Sequence, residues 1–198
     1  MVITYYGASC FRVQSGETVL AFDPPSKDSE FKSPRFQTDV VLVNFNHKDY
    51  NGWENLSGKK EDVPPFLIDG PGAYEIAGIY IKGISSGLNT IYVLSMENIS
   101  ICHLGAFAEK NLSPDLKEEI GEVDILFVPV SEDDGQKASR ISSQLESKIT
   151  IPTHYKEDDL KQFLKEFGDA SVKPMEKLTI KKKDIGEKNQ VIVLELII

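Results

Sequence analysis

The stretch V-L-V-N-F-N-H-K-D-Y-N-G, residues 41–52, decides how the rest of the chain is read. Val41, Leu42 and Val43 continue an apolar run from Val40. A run without polar alternation marks a strand buried on both faces. It breaks off into asparagines, His47, Lys48 and Asp49. Imidazole and carboxylate groups at the mouth of a buried strand are the raw material of a cation site. One histidine and one aspartate do not make such a site alone. Either other parts of the chain supply partners, or this is an ordinary strand-to-loop junction.

Working outward, the first half of the chain is rich in strands. Residues 3–6, 10–14 and 18–22 are short β-prone runs, the last two joined by a Ser15-Gly16 turn. A polar loop follows from Pro24 to Arg35. Runs at 66–68 and 74–76 flank the reversal Gly70-Pro71-Gly72, and Ala77-Gly78 turns the chain into 79–84. Runs at 91–95 and 99–104 meet across Glu97-Asn98. The second half alternates. Ser113-Pro114-Asp115 opens a helix with a hydroxyl cap, a proline in the first turn and an acid at its positive end, and Gly121 ends it. Residues 124–130 read as a buried strand, 134–147 as a helix, 148–152 as a strand and 157–167 as an amphipathic helix, with strands at 178–180 and 191–197. The acidic stretch Ser131-Glu132-Asp133-Asp134-Gly135 lacks a calcium-loop pattern and reads as a loop and helix cap. With no linker in sight, residues 1–198 form one domain of layered α/β type with mixed sheets.

Composition narrows the function. Lys and Arg number 22 against 31 Asp and Glu, a formal charge of −9. That balance argues against nucleic acid as a partner, because phosphate neutralisation needs clustered cations. The basic run Lys181-Lys182-Lys183 meets Asp184 at once and reads as a solvated strand end. Two cysteines give no disulfide framework and fit a reducing compartment. The N-terminus reads as a first strand rather than a signal peptide, and no apolar run is long enough to cross a bilayer. The expectation is a cytoplasmic protein that does not engage membranes.

The chain has three histidines, and each stands where an apolar strand gives way to polar residues. His47 follows 40–43, His103 ends 99–104, and His154 follows 148–152. If these strands end at one sheet edge, the imidazoles can converge there, with Asp49 adding a carboxylate. Spacing alone does not establish that convergence.

The stretches I-T-Y-Y-G-A-S-C-F-R-V, V-L-A-F-D-P, V-L-V-N-F-N-H-K-D-Y-N-G, G-P-G-A-Y-E-I, I-C-H-L-G-A, V-D-I-L-F-V-P-V and I-P-T-H-Y, in this order, resemble the metallo-β-lactamase superfamily. More narrowly, they resemble its branch of small metal-dependent hydrolases related to L-ascorbate-6-phosphate lactonase. The resemblance runs from Met1 to about Tyr155. It implies a four-layered αβ/βα sandwich with a dinuclear metal site at one edge of two mixed sheets. It also implies roles for individual residues. The family motif H-x-H-x-D-H stands here as Phe45-x-His47-x-Asp49-Tyr50. His103 matches the next ligand, Ala106 falls where a bridging aspartate is common, and His154 matches the last histidine. Asp23 matches an aspartate that usually orients a ligand from behind. Gly7-Ala8 stands where relatives often carry Gly-His.

Four of seven ligand positions are thus kept: His47, Asp49, His103 and His154. In the family, the equivalents of His47 and His103 serve one ion and those of Asp49 and His154 the other. Each ion therefore keeps two protein ligands where catalytic zinc normally has three. The first reading is a non-catalytic or nearly inactive chain that binds no metal, or a single Zn or Mn weakly, and serves an unidentified small-molecule or protein partner. The alternative is a hydrolase with a single metal held by His47, His103, His154 and Asp49, acting on an ester, lactone or phosphodiester, with Asp49 as ligand or general base. A third is metal-free acid–base chemistry by His47 or His154 with Asp49. Phe45, Tyr50 and Trp53 either line an apolar pocket or pack their loop against the body. The sequence leaves room for a homo-oligomer.

Overall fold

The apolar run at 40–43 forms the strand Val40–Leu42, whose three residues are all buried. In the computed structural model, which describes residues 1–130 and 135–197, it lies inside a six-stranded sheet. Val2–Tyr5 (β1), Phe11–Ser15 (β2) and Thr18–Phe22 (β3) are antiparallel neighbours. Val40–Leu42 (β4) and Phe66–Ile68 (β5) continue parallel to β3. Gly72–Ile76 (β6), Ile79–Ser86 (β7), Asn89–Met96 (β8) and Ile99–His103 (β9) form an antiparallel meander in the second sheet. Ile125–Pro129 (β10) and Ile149–Thr153 (β11) extend that sheet in parallel. Leu178–Thr179 (β12) closes the first sheet beside β1, and Gln190–Val191 (β13) closes the second beside β11.

Period-2 alternation places Leu20, Phe22, Leu42, Ile101, Phe127 and Ile151 between the two sheets. The opposite face of the second sheet is covered by helices Pro114–Ile120 (α1), Gly135–Leu145 (α2) and Glu157–Phe167 (α3), which bury Ile120, Ile141 and Phe163 against it. The outer face of the first sheet is covered more thinly. Ala21, Val41, Val43 and Leu56 pack there with Phe36 and Trp53, from a loop and the 3₁₀ turn Trp53–Asn55. The expected α/β sandwich of mixed sheets is therefore present, with its described helices on the second sheet. Trp53 packs on that outer face, away from Phe45.

Local signals explain most elements. Ser113 Oγ accepts from Leu116 N–H at 3.2 Å, Pro114 begins α1, and Gly121 ends it with φ +74°. Ala77-Gly78 and Glu97-Asn98 have positive φ at both residues, the turn whose twist suits a two-residue hairpin. Three expectations shift. The strand foreseen at 148–152 runs Ile149–Thr153, so His154 follows it directly. The basic run forms a 3₁₀ turn, Lys182–Asp184, in which Lys182 Nζ donates to both oxygens of Asp124. The strand foreseen at 191–197 keeps only Gln190–Val191 in a ladder. Beyond it the chain leaves the second sheet, and Leu196 bridges Tyr5 in the first. Residues 131–134 of the acidic stretch lie outside the described residues. Among the described residues no helix is long and apolar enough to cross a membrane.

Candidate functional site

The C-terminal ends of β3, β4, β9 and β11 lie along one edge of the sandwich, and all three histidines follow or end strands there. Their surroundings differ sharply.

His103 ends β9 on the face between the sheets and is fully buried. Its ring lies parallel to Phe22, with centroids 4.9 Å apart, and 5.3 Å from the Phe127 ring. Nε2 is 3.1 Å from the Ser9 carbonyl oxygen, which can only accept, so Nε2 carries the proton. Nδ1 accepts from Gly105 N–H at 3.1 Å. Desolvation pushes the imidazole pKa down to about 3. Asp23 Oδ2 lies 3.7 Å from Nδ1, close enough for an ion pair. Burial raises the Asp23 pKa above its ordinary value, which opposes an ion pair, and Oδ2 has no hydrogen-bond partner among the described residues. The other oxygen, Oδ1, accepts from Asn44 N–H at 2.7 Å.

His47, Asp49 and His154 form the rim above. Asp49 Oδ2 is 3.6 Å from His47 Nδ1, and Asp49 Oδ1 accepts from Ser29 Oγ at 2.6 Å. His47 is half exposed and stacks on Phe45 with centroids 5.9 Å apart. His154 has φ +51°, held by its N–H donating to the Ala8 carbonyl at 2.7 Å. Tyr50 lies between the two histidines. Its ring is parallel to His154 at 5.5 Å and meets Phe45 edge-on at 5.8 Å. Desolvation raises the Tyr50 pKa, so the phenol keeps its proton, and its oxygen lies 3.3 Å from His154 Nδ1. Desolvation also lowers the His154 pKa, opposed by the Asp49 charge. Phe31 reaches over from the loop after β3, its ring 5.5 Å from His154. Ala106 offers no donor side chain, and its N–H donates to Asn89 Oδ1 at 2.8 Å.

The strand ends considered in the sequence belong to two sheets, β4 to the first and β9 and β11 to the second, and sequence reasoning missed Ser9, Ser29, Phe31 and Asn44. No motif marks them. Ser29 and Phe31 come from the polar loop at 24–35, which reaches the site only because the Ser26 and Gly52 backbone bonds dock it on the loop carrying His47.

Both ring nitrogens of His103 are committed to the backbone, and Nε2 presents a proton where a ligand needs a lone pair. His154 Nδ1 is within 3.3 Å of the Tyr50 hydroxyl. Aromatic carbon fills the places at Phe45 and Tyr50. Among the described residues, no three His, Cys, Asp or Glu side chains come together around a cation position.

Residues 2–154 match the model of the beta-lactamase superfamily domain. A UPF0173 metal-dependent hydrolase of Listeria welshimeri is 23% identical over 197 residues, covering 78% of this chain and 85% of that protein. A UPF0173 protein of Pyrococcus abyssi is 25% identical over 189 residues, covering 78% and 83%. A crystal structure from Thermotoga maritima, assigned to the metallo-β-lactamase superfamily as a Zn-dependent hydrolase, superposes with a TM-score of 0.82. It is 30% identical, with 99% of this chain and 100% of that one covered.

Proposed function

The chain belongs to the metallo-β-lactamase superfamily, and from that premise we propose that it keeps the fold without the dinuclear hydrolytic centre, as a non-catalytic or nearly inactive binding protein. Its relatives are named metal-dependent hydrolases. Hydrolysis of that kind needs ions held firmly enough to activate water, and a catalytic zinc normally has three protein ligands. The observation that carries the proposal is His103. The one histidine that the resemblance assigns to the first ion, besides His47, spends both nitrogens on Ser9 and Gly105 inside the core. The loss of donors at Phe45, Tyr50 and Ala106 points the same way. What remains at the rim is a row of flat rings with one carboxylate, a surface suited to contact rather than to water activation.

Elemental analysis of protein never exposed to chelator or a nickel column tests this. The expected content is well below one Zn or Mn per chain, with no turnover of ester, lactone or phosphodiester substrates. Two tightly held ions per chain overturn the proposal.

A further inference from the structure

We propose that the chain forms a two-fold dimer through the free edge of its second sheet, two copies of β6 pairing antiparallel about Tyr74. The strand β6 ends the seven-stranded sheet, and nothing among the described residues pairs with its far side. The hairpin turn fixes which backbone groups face outward. In a two-residue hairpin the residues flanking the turn, Ile76 and Ile79, form a hydrogen-bonded pair. Alternation then assigns Tyr74 with Ile81 and Gly72 with Gly83 to bonded pairs, so Ala73 and Glu75 aim their N–H and C=O groups away from β7. Both residues are exposed.

Open edges are usually blunted by lysine, proline or a bulge. The strand G-A-Y-E-I has none of these, and its register with β7 is unbroken over five pairs. It is also self-complementary. With Tyr74 on the two-fold axis, Ala73 of one copy lies opposite Glu75 of the other, and the reverse. The two outward-facing residues of each copy then exchange four N–H···O bonds. Each rung carries one carboxylate and one methyl group, so no like charges face each other. Tyr74 Oη donates to the Gly70 carbonyl at 2.9 Å, which fixes the ring that would meet its symmetry mate. Tyr80, paired with Glu75, and Phe66, on the edge strand of the other sheet, are both more than half exposed. An isologous contact of this kind closes after two copies.

Sedimentation equilibrium of the full chain over micromolar to hundreds of micromolar concentrations tests the proposal. The expected result is a concentration-dependent dimer. Ala73→Glu sets two carboxylates opposite each other on both rungs and weakens it. Ala73→Lys sets opposite charges there and tightens it. The two dissociation constants should differ by about tenfold or more. Ala73→Pro removes only an outward N–H, so it should abolish the dimer while circular dichroism and melting stay those of the folded chain. A monomer throughout the range, or equal dissociation constants for the glutamate and lysine variants, overturns the proposal.

Discussion

At the scale of one residue, His103 is bound into the core on every side. Its ring keeps the place that the resemblance gives it, at the end of β9, but faces Phe22 and Phe127 rather than a cation. Replacing it by phenylalanine keeps the stack and leaves the Ser9 carbonyl and the Gly105 N–H without partners. The expected cost is about 1–3 kcal/mol for each buried group left unmet, read by urea unfolding. On the function proposed above, metal content should not change. The pH dependence follows from the same burial. Folded, the ring titrates at about 3, against 6.5 when unfolded, so the unfolded chain takes up the proton first as pH falls. Its contribution to stability is complete above about pH 6.5 and is lost progressively below it, at up to about 1.4 kcal/mol per pH unit. Asp23 has the opposite sign. Its raised pKa favours the fold at low pH, and that contribution is lost as pH rises through the folded value. His103→Phe removes only the first effect, so between about pH 6.5 and 4 its stability should fall less steeply than that of the parent chain. None of this was legible in the sequence. The partner that turns the ring, Ser9, lies 94 residues away along the chain. The strand-end rule predicted where the histidine stands but not which way its lone pairs point.

Between elements, Asn44 joins the two sheets at the site. It follows β4 in the first sheet, and its carbonyl accepts from Thr90 N–H in β8 of the second at 2.7 Å. Its Nδ2 donates to the Thr90 carbonyl at 2.5 Å and the His103 carbonyl at 3.1 Å. Gly105 has φ +60°, and a Cβ there would run into the Asn44 side chain, so the glycine permits the joint. Asn44→Ala withdraws the donor from two buried carbonyls. The expected loss is about 2–3 kcal/mol, a fall in melting temperature of roughly 5–10 °C by calorimetry. A change within the error of the measurement would mean that the Asn44 side chain does not contribute to holding the sheets, which the Thr90 N–H and Tyr92 Oη bonds would still join. The elements themselves were largely readable, because their causes are local. The Ser113 cap, the Gly121 stop and the Glu97-Asn98 turn each act within a few residues. The segment 191–197 failed for the complementary reason. Its apolar residues suit a strand wherever it goes, and only the bridges of Leu194 to Met175 and Leu196 to Tyr5 reveal that it changes sheet.

Across the whole molecule, the rim and the floor of the candidate site are positioned by different parts of the fold, and that separation gives a prediction about building a metal centre there. The resemblance assigns Asp49 and His154 to one ion and His47 and His103 to the other. Asp49 and His154 lie at the rim, where the side-chain contacts to be given up are those of Asp49 with Ser29 and His47 and of His154 with Tyr50. His103 is held from both sides by Ser9 and Gly105 and enclosed by three phenylalanine rings. A chain carrying Phe45→His, Tyr50→His and Ala106→Asp together would therefore complete the rim position with a new imidazole and carboxylate. It would also free His154 from the phenol. The second position would have only the imidazole introduced at 45 and His47 as ligands of its own, with a share of the new carboxylate, and would still lack a usable nitrogen from His103. Elemental analysis of this variant, reconstituted with zinc and dialysed, should find about one ion per chain rather than two, since three protein ligands suffice for one firm site. Two retained ions would show that the core can release His103 at little cost, and the loss of the centre would then lie in three substitutions alone. Retention of none would place the obstacle in the loop at 24–35, whose Phe31 would still cover His154. Deleting that aromatic contact with Phe31→Ala in the same background should then restore the single ion.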